Sequence, residues 1–219
     1  MAARPRRSTS SNTMKRPHPE DHRLSLNRLR IACEAARLMA REGLEDFHQA
    51  KLKAARQLGI DDEASLPRNA EVQDQLRQYQ RLFQGERQPA ELRRRRQAAL
   101  EAMRFFLAFQ PRLAGAVLDG TADARSAICL QVFSDDADAV ARFMLDANMP
   151  EGVLGERRLR LDREHYASFP AWRFSADGLA FEVTVLPTQL LRQAPLSEVD
   201  GKPMQRASAA ALRELIGAG

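Results

Sequence analysis

The sequence predicts an α+β protein with a helical front half and a small mixed sheet behind it. Three observations carry that expectation. Apolar residues recur at helical spacing as far as about residue 109. After Pro111 the period shortens to the alternation of strands. An Asp177-Gly178 pair sits between two such alternating runs, the signature of a tight hairpin. Helices gathered on one side of a sheet are a standard way to bury both.

The 219 residues suggest one or two domains, and 44% hydrophobic against 29% charged residues is an ordinary globular mixture. The boundaries read as a basic, disordered leader over 1–22, a helical region over 23–88 and an α+β domain over 89–219. No run approaches the roughly 20 apolar residues of a membrane-spanning helix, so no membrane partner is expected. The leader has no apolar core of the kind that directs secretion, and a cytoplasmic location is expected. Met14 offers an alternative translation start. The net charge is +5, and residues 1–23 supply a surplus of four of it. A basic leader is therefore indicated, not a protein-wide nucleic-acid footprint.

The first helix is expected over 23–42, with Leu26, Leu29, Cys33, Ala36 and Ala40 on its buried face and Gly43 as its stop. The second follows over 46–59, burying Phe47, Ala50, Ala54 and Leu58 and ending at Gly59. After a polar loop, Asn69 is expected to cap a third helix that buries Val72, Leu76, Tyr79 and Phe83. A break from Gly85 to Pro89 precedes a fourth, long helix over 90–109. Its apolar face holds Leu92, Ala99, Met103 and Phe106, widened by Leu100 and Leu107. Arg93 to Arg96 crowd its start, where cations oppose the helix dipole. They read as a solvated face with acidic neighbours or as a phosphate-facing patch.

Behind Pro111, the run over 113–120 reads as a short buried strand and 127–133 as a second. A helix capped by Ser134 or Asp135 follows, with Val140, Phe143 and Met144 inward. Further strands are expected around 159–163, 171–175 and 179–187, and a final helix over 208–216. Cys33 and Cys129 lie in different elements and read as two reduced, buried thiols. Of the four histidines, His18, His22, His48 and His165, none sits at metal-binding spacing from another ligand.

The succession of strand, Gly120-Thr121, loop, second strand over Ala127–Leu130 and helix resembles the polymerase-beta-like nucleotidyltransferase superfamily. It is similar also to bacterial proteins described as nucleotidyltransferase-like. In that superfamily a Gly-Ser or Gly-Thr turn precedes a strand bearing two acids at i and i+2, and a later strand adds a third. Residues at i and i+2 share one face of a strand, so two carboxylates there can hold metal ions that bridge nucleotide phosphates. The resemblance implies nucleotide-binding roles for Gly120, Thr121, Arg125 and Ser126, and a surviving carboxylate in Glu182. Ala127 and Cys129 fill the paired acidic positions, and the loop before Ala127 is short.

Asp119, Asp123, Asp135 and Asp136 are the other acids near the motif. Asp135 and Asp136 suit a helix start, which leaves Asp119 as the second weak catalytic candidate beside Glu182. A thiol at Cys129 suits Mg²⁺ poorly. The leading expectation is a catalytically degenerate nucleotidyltransferase fold that binds a nucleotide or a protein partner, with no metal site. One alternative is an active, Mg²⁺-dependent enzyme using Glu182 and a nearby Asp. Another is a nucleic-acid-binding protein using the leader and Arg93–Arg96. Lys51, Lys53 and Arg56 on the second helix add basic charge, but the acidic loop after Gly59 argues against a helix-turn-helix reader.

Overall fold

Alanine dominates the contact surfaces of the first helices, and small side chains let helix backbones approach closely. In the computed structural model, residues 19–44, 46–83, 87–150 and 152–217 are described, with backbone alone for Pro19, 81–83 and 87–88. Most of the leader, over 1–18, and much of the break after the third helix, over 84–86, fall outside them, as does the Phe83 side chain. Three helices, α1 (Pro19–Glu42), α2 (Phe47–Leu58) and α3 (Asn69–Phe83), enclose a core of their own. Ile31, Ala32, Ala35, Ala36, Leu38 and Met39 meet Ala50, Ala54, Ala55, Val72 and Leu76 there. Asp46 caps α2 by accepting from the His48 and Gln49 amides.

This corrects the expected phase of α1. Of the five residues assigned to its buried face, Leu26, Leu29 and Cys33 are exposed. The buried side instead carries Ile31, Ala32, Ala35, Leu38 and Met39, an apolar face that the expected spacing passed over. Asn69 also does not cap α3. Its side-chain amide donates to the Glu198 carbonyl at 2.6 Å, while Glu71 accepts from the Arg68 amide at 2.7 Å.

Helix α4 (Arg87–Phe105) turns its side chains into a second core. Ala99, Met103 and Phe106 are fully buried against the sheet, while Leu107, just beyond the helix, is exposed. The run over 113–120 is a strand for three residues only. β1 spans Arg112–Ala114, and a one-turn helix, α5, occupies Ala116–Asp119. Gly115 between them adopts φ 74°, ψ −156°, a backbone region that is essentially glycine's own and ends the strand.

β2 (Ile128–Phe133), α6 (Ala137–Asp146), β3 (Val153–Arg160), β4 (Tyr166–Ala176), β5 (Leu179–Leu186) and α7 (Ala209–Gly217) complete the described elements. The cap of α6 is Asp136, whose carboxylate accepts from the Asp138 and Ala139 amides. The expected Asp135 instead accepts from the Thr188 amide and hydroxyl. Asp177 and Gly178 both take positive φ, 51° and 74°, the geometry of a tight turn matched to the twist of a hairpin.

The sheet runs β1-β2-β5-β4-β3. Only the β2–β5 pairing is parallel, made possible by the long connection through α6 and the β3–β4 hairpin. One face presents Leu113, Ile128, Leu130, Val132, Phe181, Val183 and Val185 to the main core, which α4, α6 and α7 also line. The other face carries Cys129, Gln131, Glu182, Thr184 and Arg173, and ends in a small cluster of Phe133, Leu159, Phe169, Leu186 and Leu190. Among the described residues no helix is long and apolar enough to cross a membrane.

Candidate functional site

Parallel pairing sets Cys129 of β2 directly opposite Glu182 of β5, and antiparallel pairing sets Arg173 of β4 opposite Glu182 on its other side. Residues paired in this way share a sheet face. Glu182 is 7% exposed in its side chain, and such a burial of charge requires partners. It has two. Arg173 Nε donates to Glu182 Oε2 at 2.7 Å, and Arg157 Nη1 from β3 lies 3.4 Å from Oε1. Both guanidiniums reach solvent, with side chains 53% and 40% exposed. The cluster therefore carries a net positive charge on an open part of the sheet.

A shallow cleft of about 310 Å³ opens beside it, lined by Ala127, Arg173, Phe174, Ser175, Ala180, Phe181 and Glu182. Ala127 and Glu182 thus border one space, and Cys129 adjoins Glu182 on the same face. The glycine nearest Cys129 is Gly115, where an added Cβ would lie 3.8 Å from the Cys129 Cβ and Sγ. Cys129 is half-buried and Cys33 exposed, so the expected pair of buried thiols is not found.

The residues expected around Gly120 make other contacts. An added Cβ on Gly120 would meet Arg96 Nη2 and Leu92 Cδ2 of α4. Thr121 is buried, and its carbonyl accepts from Gln80 Nε2 of α3 at 2.5 Å. Arg125 donates to the Arg41 carbonyl at 3.0 Å, satisfying an otherwise orphaned group at the C-terminal end of α1. Ser126 is held by Asp123, whose carboxylate accepts from the Arg125 amide, the Ser126 amide and the Ser126 hydroxyl. Thr121 and Arg125 join α3 and α1 to the sheet domain, while Gly120 and Ser126 lie against α4. Asp119, at the end of α5, is influenced by Arg77 of α3. Its burial pushes its carboxyl above the ordinary range, and the Arg77 charge only partly offsets this.

Among the described residues, three of the four arginines of the run donate to backbone carbonyls. Arg95 is 2% exposed and donates to the Ser126 carbonyl at 2.6 Å and the Ala124 carbonyl at 2.7 Å, with Glu91 at 3.0 Å. Arg96 donates to the Val117 and Leu118 carbonyls of α5, and Arg94 to the Asp177 carbonyl of the hairpin. Arg93 is exposed. The run clamps α4 onto α5, the loop that follows it and the β4–β5 turn.

Sequence reasoning found Glu182 and missed Arg157 and Arg173. Their convergence depends on the register of three strands, and nothing local to either arginine signals it. Among the described residues, no group of three or more His, Cys, Asp or Glu side chains is placed to share a metal ion. Searches of protein-family models, of curated proteins and of solved structures find no match to this chain.

Proposed function

We propose that the chain is a catalytically degenerate protein on a nucleotidyltransferase-like scaffold, and that it binds a nucleotide by its phosphates at the Arg173–Glu182 cleft and the Arg157 guanidinium paired with Glu182. The observation that carries this reading is the double guanidinium pairing of Glu182. A carboxylate that served as a metal ligand would have to exchange both guanidiniums for the cation. The same two guanidiniums, partly exposed and fork-shaped, suit phosphate oxygens. Supporting features are the Cys129–Glu182 register, which sets a thiol where a second carboxylate would face Glu182, and the β1–Gly115–α5–β2 path beside it.

Phosphate recognition of this kind needs no divalent cation. Titration calorimetry with nucleoside triphosphates, with and without Mg²⁺, tests it. Binding is expected in the presence of a chelator and is expected to weaken about tenfold in Arg173→Ala, as loss of one charge-assisted hydrogen bond implies. Binding and turnover that appear only with Mg²⁺ would support the active alternative instead.

A further inference from the structure

One apolar repeat of the front half, on α1, is left partly uncovered by the fold. Positions 26, 29, 33, 36 and 40 of α1 alternate by three and four residues, the interval of a coiled-coil seam. Ala36 turns into the helical core and the Cys33 thiol, though exposed, donates to Gln75 Oε1 of α3 at 3.2 Å, but Leu26 and Leu29 are 50% and 51% exposed. The buried side of the helix is complete without them, filled by Ile31, Ala35, Leu38 and Met39 against α2 and α3.

An arginine row borders this strip. Arg23, Arg30 and Arg37 fall seven residues apart and so follow one edge of the helix. With Leu26 and Cys33 at the a positions and Leu29 at d, all three arginines occupy e, the position whose charge selects a coiled-coil partner. Arg37 already pairs with Glu34, its Nε donating to Glu34 Oε2 at 2.8 Å. Arg23 and Arg30 are exposed. The opposite edge of the strip carries Ser25 and no charge.

We infer that the outer face of α1 docks an acidic amphipathic helix of a partner protein, with apolar residues against Leu26 and Leu29 and carboxylates along the Arg23–Arg30 edge. Charge decides against the other occupants. A second copy paired antiparallel through this strip sets arginine row against arginine row, and like charges held close repel; one paired parallel sets the row against the uncharged Ser25 edge, which gives it no counter-charge. The leader over 1–18 carries Arg4, Arg6, Arg7, Lys15 and Arg16 with no acid, so it cannot complement the row either.

The test uses the full chain and a fluorescently labelled designed helix with Leu at a and d and Glu at e and g, followed by anisotropy. The same peptide with Lys replacing Glu is the control. The Glu peptide is expected to bind saturably and to lose affinity as salt rises. Leu29→Ser, and separately Arg23→Ser with Arg30→Ser, are each expected to weaken it about tenfold. The Lys peptide is expected not to bind. Because these side chains are exposed, the variants keep the fold, which a thermal melt by circular dichroism confirms. Absence of Glu-peptide binding, or binding unchanged by Leu29→Ser, overturns the inference. So does self-association in sedimentation that Leu29→Ser abolishes, which would make a second copy the occupant. Leu29-dependent binding to phosphatidylglycerol vesicles, with no peptide binding, would make the face a lipid contact and equally overturn it.

Discussion

Replacing Arg95 by alanine separates a clamp from a nucleic-acid patch, because the two roles predict losses of different kinds. The guanidinium is buried and donates to two loop carbonyls, at 2.6 and 2.7 Å, with Glu91 beside it at 3.0 Å. Hydrogen bonds involving a charged group contribute roughly 1.5–3 kcal/mol net, and breaking a buried ion pair costs about 3–5 kcal/mol. Arg95 Nε is buried with no hydrogen-bond partner, so part of the native burial is already uncompensated. That places the expected loss near the lower figure, about 3 kcal/mol. For a chain of this size the melting temperature should fall by about 6–12 °C. Arg93→Ala, at an exposed position in the same run, should change stability by no more than about 0.5 kcal/mol. Urea unfolding followed by circular dichroism measures both. Equal and small effects would refute the clamp. So would an Arg95→Ala protein of unchanged stability that loses a steeply salt-dependent affinity for DNA or RNA.

Two further perturbations follow from the geometry. Asp119 has its proton held more tightly in the folded state than in the unfolded chain, since burial raises its carboxyl. In that window the native state binds more protons than the unfolded state, so the group's contribution to stability falls as pH rises. Asp119→Asn should therefore stabilise the protein at neutral pH, with the gain disappearing as the solution is acidified through the carboxyl's range; a gain that grows in acid would contradict this. Gly115→Ala should destabilise by roughly 1–3 kcal/mol, because its backbone region is closed to side chains, although the added Cβ would meet Cys129 at an ordinary 3.8 Å. Denaturant titration reads the loss, and a neutral Gly115→Ala would show that the β1–α5 junction relaxes.

Much of the sheet domain was legible because its signals are local. The Asp177-Gly178 hairpin and the alternation through Leu179–Leu186 each require only neighbouring residues to be read. The front half was legible in its helix spans and misread in the phase of α1. Leu26, Leu29 and Cys33 at i, i+3, i+7 suggested one face, but the core takes the neighbouring face of Ile31, Ala32, Ala35, Leu38 and Met39, which packs with Ala50, Ala54, Val72 and Leu76. The run over 113–120 is apolar enough for strand or helix, and a single positive φ at Gly115 decides for both in turn. The site was half legible. Glu182 was singled out through the resemblance, which implies a carboxylate on the later strand. Arg157 and Arg173 reach it through pairings across β3, β4 and β5 that no local pattern encodes. The arginine clamps were hidden for a related reason: their acceptors are backbone carbonyls, which leave no trace in side-chain sequence.

The most direct test of the account is the sign of the effect of Glu182→Gln on nucleoside triphosphate binding. Glutamine keeps the shape and removes the charge that neutralises Arg157 and Arg173. With Glu182 as their counter-ion, the substitution frees positive charge for phosphate, and calorimetry in a chelator should show binding several-fold tighter than wild type. Binding that requires Mg²⁺ and is abolished by Glu182→Gln would make the carboxylate a metal ligand and contradict the account.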